Sequence, residues 1–217
     1  MMNAASLEAH LTPHRIAGMR AVLARRLSWL AVVLDNLHDR HNVSAVLRSC
    51  DAFGVQEVHV IEATEPFKVN PLVSQGVERW LTIKRWPGFA ACCSHLRRRG
   101  FALYATALGS DACSVHDLPL DRKIAVVFGN EHRGVGADLI ARCDGNVLVP
   151  MHGFTQSLNV SVAAAVTIAV LSEKLRATGG PGVLLSPRAR TQVYAAWLQA
   201  QTEKRWLRAA RAGAGAP

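Results

Sequence analysis

Ile124-Ala125-Val126-Val127-Phe128-Gly129-Asn130-Glu131 is the stretch on which the fold turns. Its first five residues are apolar without alternation. A strand here is therefore buried on both faces, as strands are at the centre of a parallel sheet covered by helices on each side. Working outward, the chain shows the pattern such a sheet requires. Apolar runs of strand length occur at 29–34, 57–61, 81–86, 101–105 and 146–149. Between them, segments 42–53, 89–99 and 135–142 carry apolar residues at helical spacing, and Gly54 and Gly100 stand just past two of them as helix stops. A long apolar helix is expected over 161–176, and basic amphipathic helices over 7–27 and 188–208. Strands alternating with helices define an α/β fold, a mainly parallel sheet with helices on both faces.

The chain has 217 residues, of which half are hydrophobic and 19% charged, enough for a sizeable core and too few charges for a disordered chain. It reads as one domain with appended helices: a basic N-terminal extension (1–26), a body (27–178), then a linker and a basic C-terminal helix (179–217). ATGGPGV, residues 177–183, is the clear linker. The longest uncharged apolar run, 160–171, falls short of the ~18 residues a membrane span needs. The N-terminus lacks the pattern of a secretory signal. Five cysteines with no CxxC pair suit reduced thiols and argue against a disulfide framework or a zinc site. A cytoplasmic protein without metal or membrane attachment is the expectation.

The net charge of +9 is unevenly placed: residues 1–26 carry +3, residues 173–217 carry +6, and the middle is neutral. A neutral body with basic ends is the footprint of a domain that grips a polyanion with its extensions. The alternative is two solvated helix faces. The cations concerned are Arg15, Arg20, Arg25 and Arg26 at one end, and Arg188, Arg190, Lys204, Arg205 and Arg208 at the other.

In an open α/β sheet, ligands bind beyond the carboxyl ends of the strands. Three strand ends here lead into small or hydroxyl-bearing loops: Thr106-Ala107-Leu108-Gly109, Gly129-Asn130-Glu131, and Pro150-Met151-His152-Gly153 continuing to Thr155-Gln156-Ser157-Leu158-Asn159. They offer backbone groups to an adenine edge and no anion cradle. Neither a P-loop nor GxGxxG is present, which disfavours phosphate-bearing cofactors. Asn159 stands at a helix start, where an N-cap is the simplest role. The helix behind it is apolar nearly all round and calls for a second subunit. Asn42 and Arg48 lie nearly two turns apart on one helix. Arg48 reads either as an arginine snorkelling from a core edge or as a guanidinium aimed at a phosphate.

These residues carry a resemblance. The run from Asp35 to Val55, DNLHDRHNVSAVLRSCDAFGV, resembles the first motif of the knotted SPOUT RNA methyltransferases. Phe128-Gly129-Asn130-Glu131 with Gly134 resembles their second. Val149-Pro150-Met151 through Gln156-Ser157-Leu158-Asn159-Val160-Ser161-Val162-Ala163 resembles their third. Within that superfamily the TrmH-type enzymes are the most similar, over roughly residues 7–178. The resemblance implies a trefoil knot over about 124–170, a homodimer, and S-adenosyl-L-methionine bound in the knot by Thr106, Leu108, Gly129, Val149, Met151 and Leu158. It implies Arg48 as the catalytic arginine, Asn42 as the residue positioning it, and Glu131, Ser157 and Asn159 as polar residues tied to catalysis and knot integrity. The implied reaction is 2′-O-methylation of a tRNA ribose, at guanosine 18 of the D-loop, with the basic flanking helices binding tRNA. The alternatives are another tRNA position, a ribosomal RNA, or a non-catalytic RNA-binding protein on the same fold.

Overall fold

A computed structural model describes residues 4–213 apart from 65, 110 and 132; the side chains of 4, 5 and 203–213 lie outside the described residues. The chain divides into two compact units, residues 27–184 and residues 1–26 with 185–217.

The larger unit opens with β1 (Leu27–Asp35), α3 (Arg40–Phe53) and β2 (Val55–Ile61). After a short helix, α4 (Pro71–Ser74), and a 3-10 turn at Val77–Trp80 come β3 (Thr82–Trp86), α5 (Phe89–Arg98), β4 (Phe101–Thr106) and the two-residue β5 (Cys113–Ser114). Then follow β6 (Lys123–Phe128), α6 (Ala137–Ile140), β7 (Gly145–Leu148) and α7 (Val160–Thr178). The seven strands are ordered β3-β2-β1-β6-β4-β7-β5, and every pairing is parallel.

β6 lies between β1 and β4, with Val126 opposite Val32 on one side and Tyr104 on the other. Its expected burial on both faces is what the structure shows. Leu30, Val32 and Leu34 of β1 join Ile124, Val126 and Phe128 of β6 on one face, packed against Val46 and Leu47 of α3 and Ile168 and Leu171 of α7. Ala31, Val33, Ala125 and Val127 point the other way, to Cys92 and Leu96 of α5 and Leu139 of α6. The period of two along each strand thus splits one sheet into two cores. On the second face, Glu57 of β2 ties strand to helix: Lys84 of β3 reaches it at 2.6 Å and Arg99, just past α5, grips it with both guanidinium nitrogens.

Helix ends follow local rules. Asp39 caps α3 by accepting from the His41 amide at 2.7 Å, and Gly54 closes it at φ +82°. No described helix is long and apolar enough to cross a membrane.

Several expectations are corrected. The helix expected over 7–27 is two, α1 (Ala4–Glu8) and α2 (Pro13–Leu23). Thr12 accepts from the Arg15 amide and Pro13 starts the second helix, because a proline has no amide to continue the first. The segment 177–183 is no loose linker. Residue 178 ends α7, Gly179 turns at φ +58°, Val183 is buried, and its carbonyl accepts from the Ser28 amide at 2.8 Å. The strand β5 and the short helix α4 were too brief to register as periodic patterns.

The smaller unit pairs the two chain ends. α1, α2 and α8 (Pro187–Gly213) contribute Leu7, Met19, Leu23, Trp197 and Leu198 as buried side chains. Arg26, expected as an RNA-facing cation, is 1% exposed, its guanidinium stacked over the Trp197 ring with 5.4 Å to the ring centre. Desolvation against an aromatic face removes it from the set available to a polyanion. Arg20 is exposed but bonds Glu8 at 2.8 Å, and Tyr194 donates its hydroxyl to the same carboxylate.

Candidate active site

The carboxyl ends of β4, β6 and β7 open into a cavity of about 650 Å³, a size suited to a cofactor. Each loop anticipated from the sequence contributes: Thr106, Ala107 and Leu108 from the first, Gly129 to Glu131 from the second, and Val149, Met151, Ser157, Leu158 and Asn159 from the third. All six residues expected to hold the methyl donor line this one space. Val135, Ile140, Val147 and Ala163 add apolar walls.

The β6 loop is built on a close backbone approach. Asn130 and Gly134 exchange two backbone hydrogen bonds, of 3.0 and 2.8 Å, and Gly134 sits at φ +65°. A Cβ on Gly129 would stand 2.2 Å from the Gly134 carbonyl carbon, closer than any side chain tolerates. Asn130 also donates its side-chain amide to the Asn36 carbonyl at 2.8 Å, pinning the loop to the end of β1. Thr106 donates its hydroxyl proton to the Val127 carbonyl at 3.0 Å, so that oxygen can only accept from a ligand.

Glu131 and Asn42, far apart in sequence, meet: Asn42 donates to the Glu131 carboxylate at 3.2 Å. That carboxylate also accepts from the His38 and Asp39 amides, each at 3.2 Å. Burial alone would push its pKa up. Its own amide, Asn42 and the amides of His38 and Asp39 outweigh that and hold it below the usual glutamate value. An anion here also favours the N-terminus of α3. Glu131 is therefore a clamp between the β6 loop and α3.

Ser157 and Asn159 both line the cavity and are exposed. Asn159 accepts from the Ser161 amide at 2.8 Å and the Ser161 hydroxyl at 2.6 Å, so it is the N-cap of α7 as well as part of the wall. Arg48 is not brought to the cavity in the single chain. It is exposed on α3 and donates to the Val73 carbonyl at 3.2 Å. Arg133 lines the cavity and is absent from the sequence-based set. The signal that could have found it is its place beside Gly134 in the second motif.

Of the terminal cations, Arg15, Arg25 and Arg188 are exposed, and Arg190 is half-buried with its Nε donated to the Leu185 carbonyl at 2.8 Å. Lys204, Arg205 and Arg208 have side chains outside the described residues. Among the described residues, no group of three metal-ligating side chains occurs.

The residues present fit S-adenosyl-L-methionine. Apolar walls suit the faces of an adenine, unspent backbone groups of the three loops suit its edge, and the anionic Glu131 suits the vicinity of a sulfonium. Fold and cavity together define a parallel α/β protein that takes a nucleoside-sized ligand at the carboxyl ends of its strands. Residues 29–169 match the model of the SpoU rRNA methylase family. The chain belongs to that family. A Thermus thermophilus tRNA (guanosine(18)-2'-O)-methyltransferase is 38% identical over 192 residues, 87% of this chain and 97% of that protein. The protein of the same description from Escherichia coli K12 is 32% identical over 81% of this chain and 75% of its own length. The crystal structure of the A. aeolicus TrmH/SpoU tRNA modifying enzyme superposes with a TM-score of 0.78 at 28% identity, covering 87% of this chain and 96% of that one.

Proposed function

We propose that this protein transfers the methyl group of S-adenosyl-L-methionine to the 2′-hydroxyl of guanosine 18 in tRNA. The observation that carries the reading is the convergence of the three loops on one cavity beside the Asn42–Glu131 clamp. The match to relatives named for that nucleotide, over 97% of one and 75% of another, supports the substrate.

The donor supplies an already electrophilic methyl on sulfur, and the hard chemistry is its own. The chain's work is positioning and electrostatics. The tied Asn130 and Gly134 after β6 and the α7 cap position the walls, so that a ribose hydroxyl held ~3 Å from the methyl gains most of its rate from orientation. Asn42 and Glu131 fix the first turn of α3, the helix that carries Arg48. Arg48 acts as a positive charge for the alkoxide developing on O2′ rather than as a base, since a guanidinium holds its proton too firmly to serve as one. Its hold on the Val73 carbonyl is a single bond to a neutral acceptor, weaker than a charge-assisted bond to RNA.

The proposal extends to three features of the whole. A trefoil knot is supported by the path of the chain after β7: α7 returns to pack on α3, and Lys174 of α7 donates to the Leu118 carbonyl in the β5–β6 connection at 3.2 Å. A homodimer is supported by the exposed Phe154, Leu158 and Val162 at the start of α7. A tRNA grip by the chain ends is supported by the exposed Arg15, Arg25 and Arg188; a cytoplasmic site of action accompanies that substrate.

The test is incubation with unmodified tRNA and labelled methyl donor, followed by mapping of the methylated ribose. Label on the guanosine 18 ribose is expected. Label in ribosomal RNA alone would overturn the substrate. Arg48→Lys should lower kcat at least tenfold while cofactor affinity stays constant; near-normal turnover would remove the guanidinium from the mechanism.

A further inference from the structure

Among the described residues lining the cavity, Arg133 is the one basic side chain. It is exposed, and it makes no hydrogen bond or ion pair with any described residue. The neighbouring Glu131 does not neutralise it, because that carboxylate is taken by the His38 and Asp39 amides and by Asn42. The backbone near it is tied at Asn130 and Gly134. Asn130 and Gly134 exchange two backbone hydrogen bonds, and Asn130 is pinned to the Asn36 carbonyl. An exposed guanidinium at the wall of a reaction cavity, next to the tied Gly134, is placed to take an anion.

We propose that Arg133 binds the phosphodiester on the 3′ side of the ribose being methylated, and so seats the target nucleotide. The inference rests on the RNA 2′-O-methyltransferase reading above. In any RNA chain O2′ and the 3′-phosphate are on adjacent ribose carbons. A cavity that brings O2′ to a bound methyl donor must therefore bring that phosphate to the same mouth. The planar fork of an arginine matches two phosphate oxygens at once. The contact carries no base information: it sets the position of the sugar, leaving the choice of nucleotide to other groups. Arg133 is in this sense a substrate-binding residue distinct from Arg48, which is tied to the Val73 carbonyl away from the cavity.

The experiment measures tRNA binding by the full-length protein across a potassium chloride series for wild type, Arg133→Gln and Arg133→Lys, with S-adenosyl-L-methionine affinity measured calorimetrically in parallel. Loss of one charged hydrogen-bonding contact should weaken tRNA binding roughly tenfold or more in Arg133→Gln. The slope of log affinity against log salt should become shallower by about 0.7 to 1, the signature of one lost phosphate contact. Arg133→Lys should restore the slope but not the full affinity. Cofactor affinity should be the same in all three. An unchanged salt slope in Arg133→Gln overturns the proposal. So does weakened cofactor binding with unchanged tRNA binding, which would assign the guanidinium to the methionine carboxylate. If the wild type methylates ribosomal RNA instead, the substrate reading fails, and the same salt series on that RNA still decides Arg133.

Discussion

Geometry alone requires glycine at position 129: with a 2.2 Å approach between its Cβ position and the Gly134 backbone, any side chain forces the β6 loop open. Gly129→Ala should cost about 1 to 3 kcal/mol in denaturant unfolding, the range for overpacking. It should weaken cofactor binding at least tenfold, because Gly129 is itself part of the cavity wall. A fully stable variant with wild-type cofactor affinity would show that the loop has room to shift. At this scale the sequence was informative about small residues. Glycines after a buried strand mark a loop that a ligand or another backbone approaches, and all six expected cofactor residues do line one cavity. It was uninformative about arginines. Arg26 and Arg133 look alike in a string of letters, yet one is buried against Trp197 and the other is exposed at the cavity wall.

Between elements, the Glu131 clamp joins the end of β6 to the start of α3, and its strength depends on charge. Its pKa is held below the usual glutamate value by the bonds it accepts, so the clamp stabilises the native state at pH above the unfolded value of about 4.3. That contribution is lost as pH falls through the lower native value. In urea unfolding, wild type should therefore exceed Glu131→Gln in stability at pH 7, and the gap should close below about pH 4. A gap independent of pH would mean that the ionised carboxylate is not what holds α3. The helices and strands themselves were legible wherever an apolar period ran for several residues. Local chemistry set the exceptions: Pro13 split one helix into two, and the supposed linker was fastened by Ser28 and Val183. Two-residue β5 has no period at all and exists only because β7 lies beside it.

For the whole molecule, α7 is the element that a single chain leaves incompletely covered. Its buried residues face the sheet and α3, while Val162 is 47% exposed and Phe154, just before it, is fully exposed. If that face is the homodimer contact, Val162→Asp should convert a two-chain mass in light scattering to a one-chain mass while circular dichroism keeps its helical signal. A wild type of one-chain mass would exclude the dimer outright.

What the sequence by itself determined is the list of parts: a doubly buried strand, its alternating helices, three glycine-bearing loops, and an excess of charge confined to the ends. These follow from short-range rules, since the period of apolar residues and the identity of turn residues act over a few positions. Only the tertiary structure decided which parts meet. It inserted β6 between β1 and β4, joined Asn42 to Glu131 across 89 positions, buried Arg26, and left Arg133 at the cavity wall. Those outcomes depend on which surfaces exclude water together, a property of the packed chain that no local stretch contains.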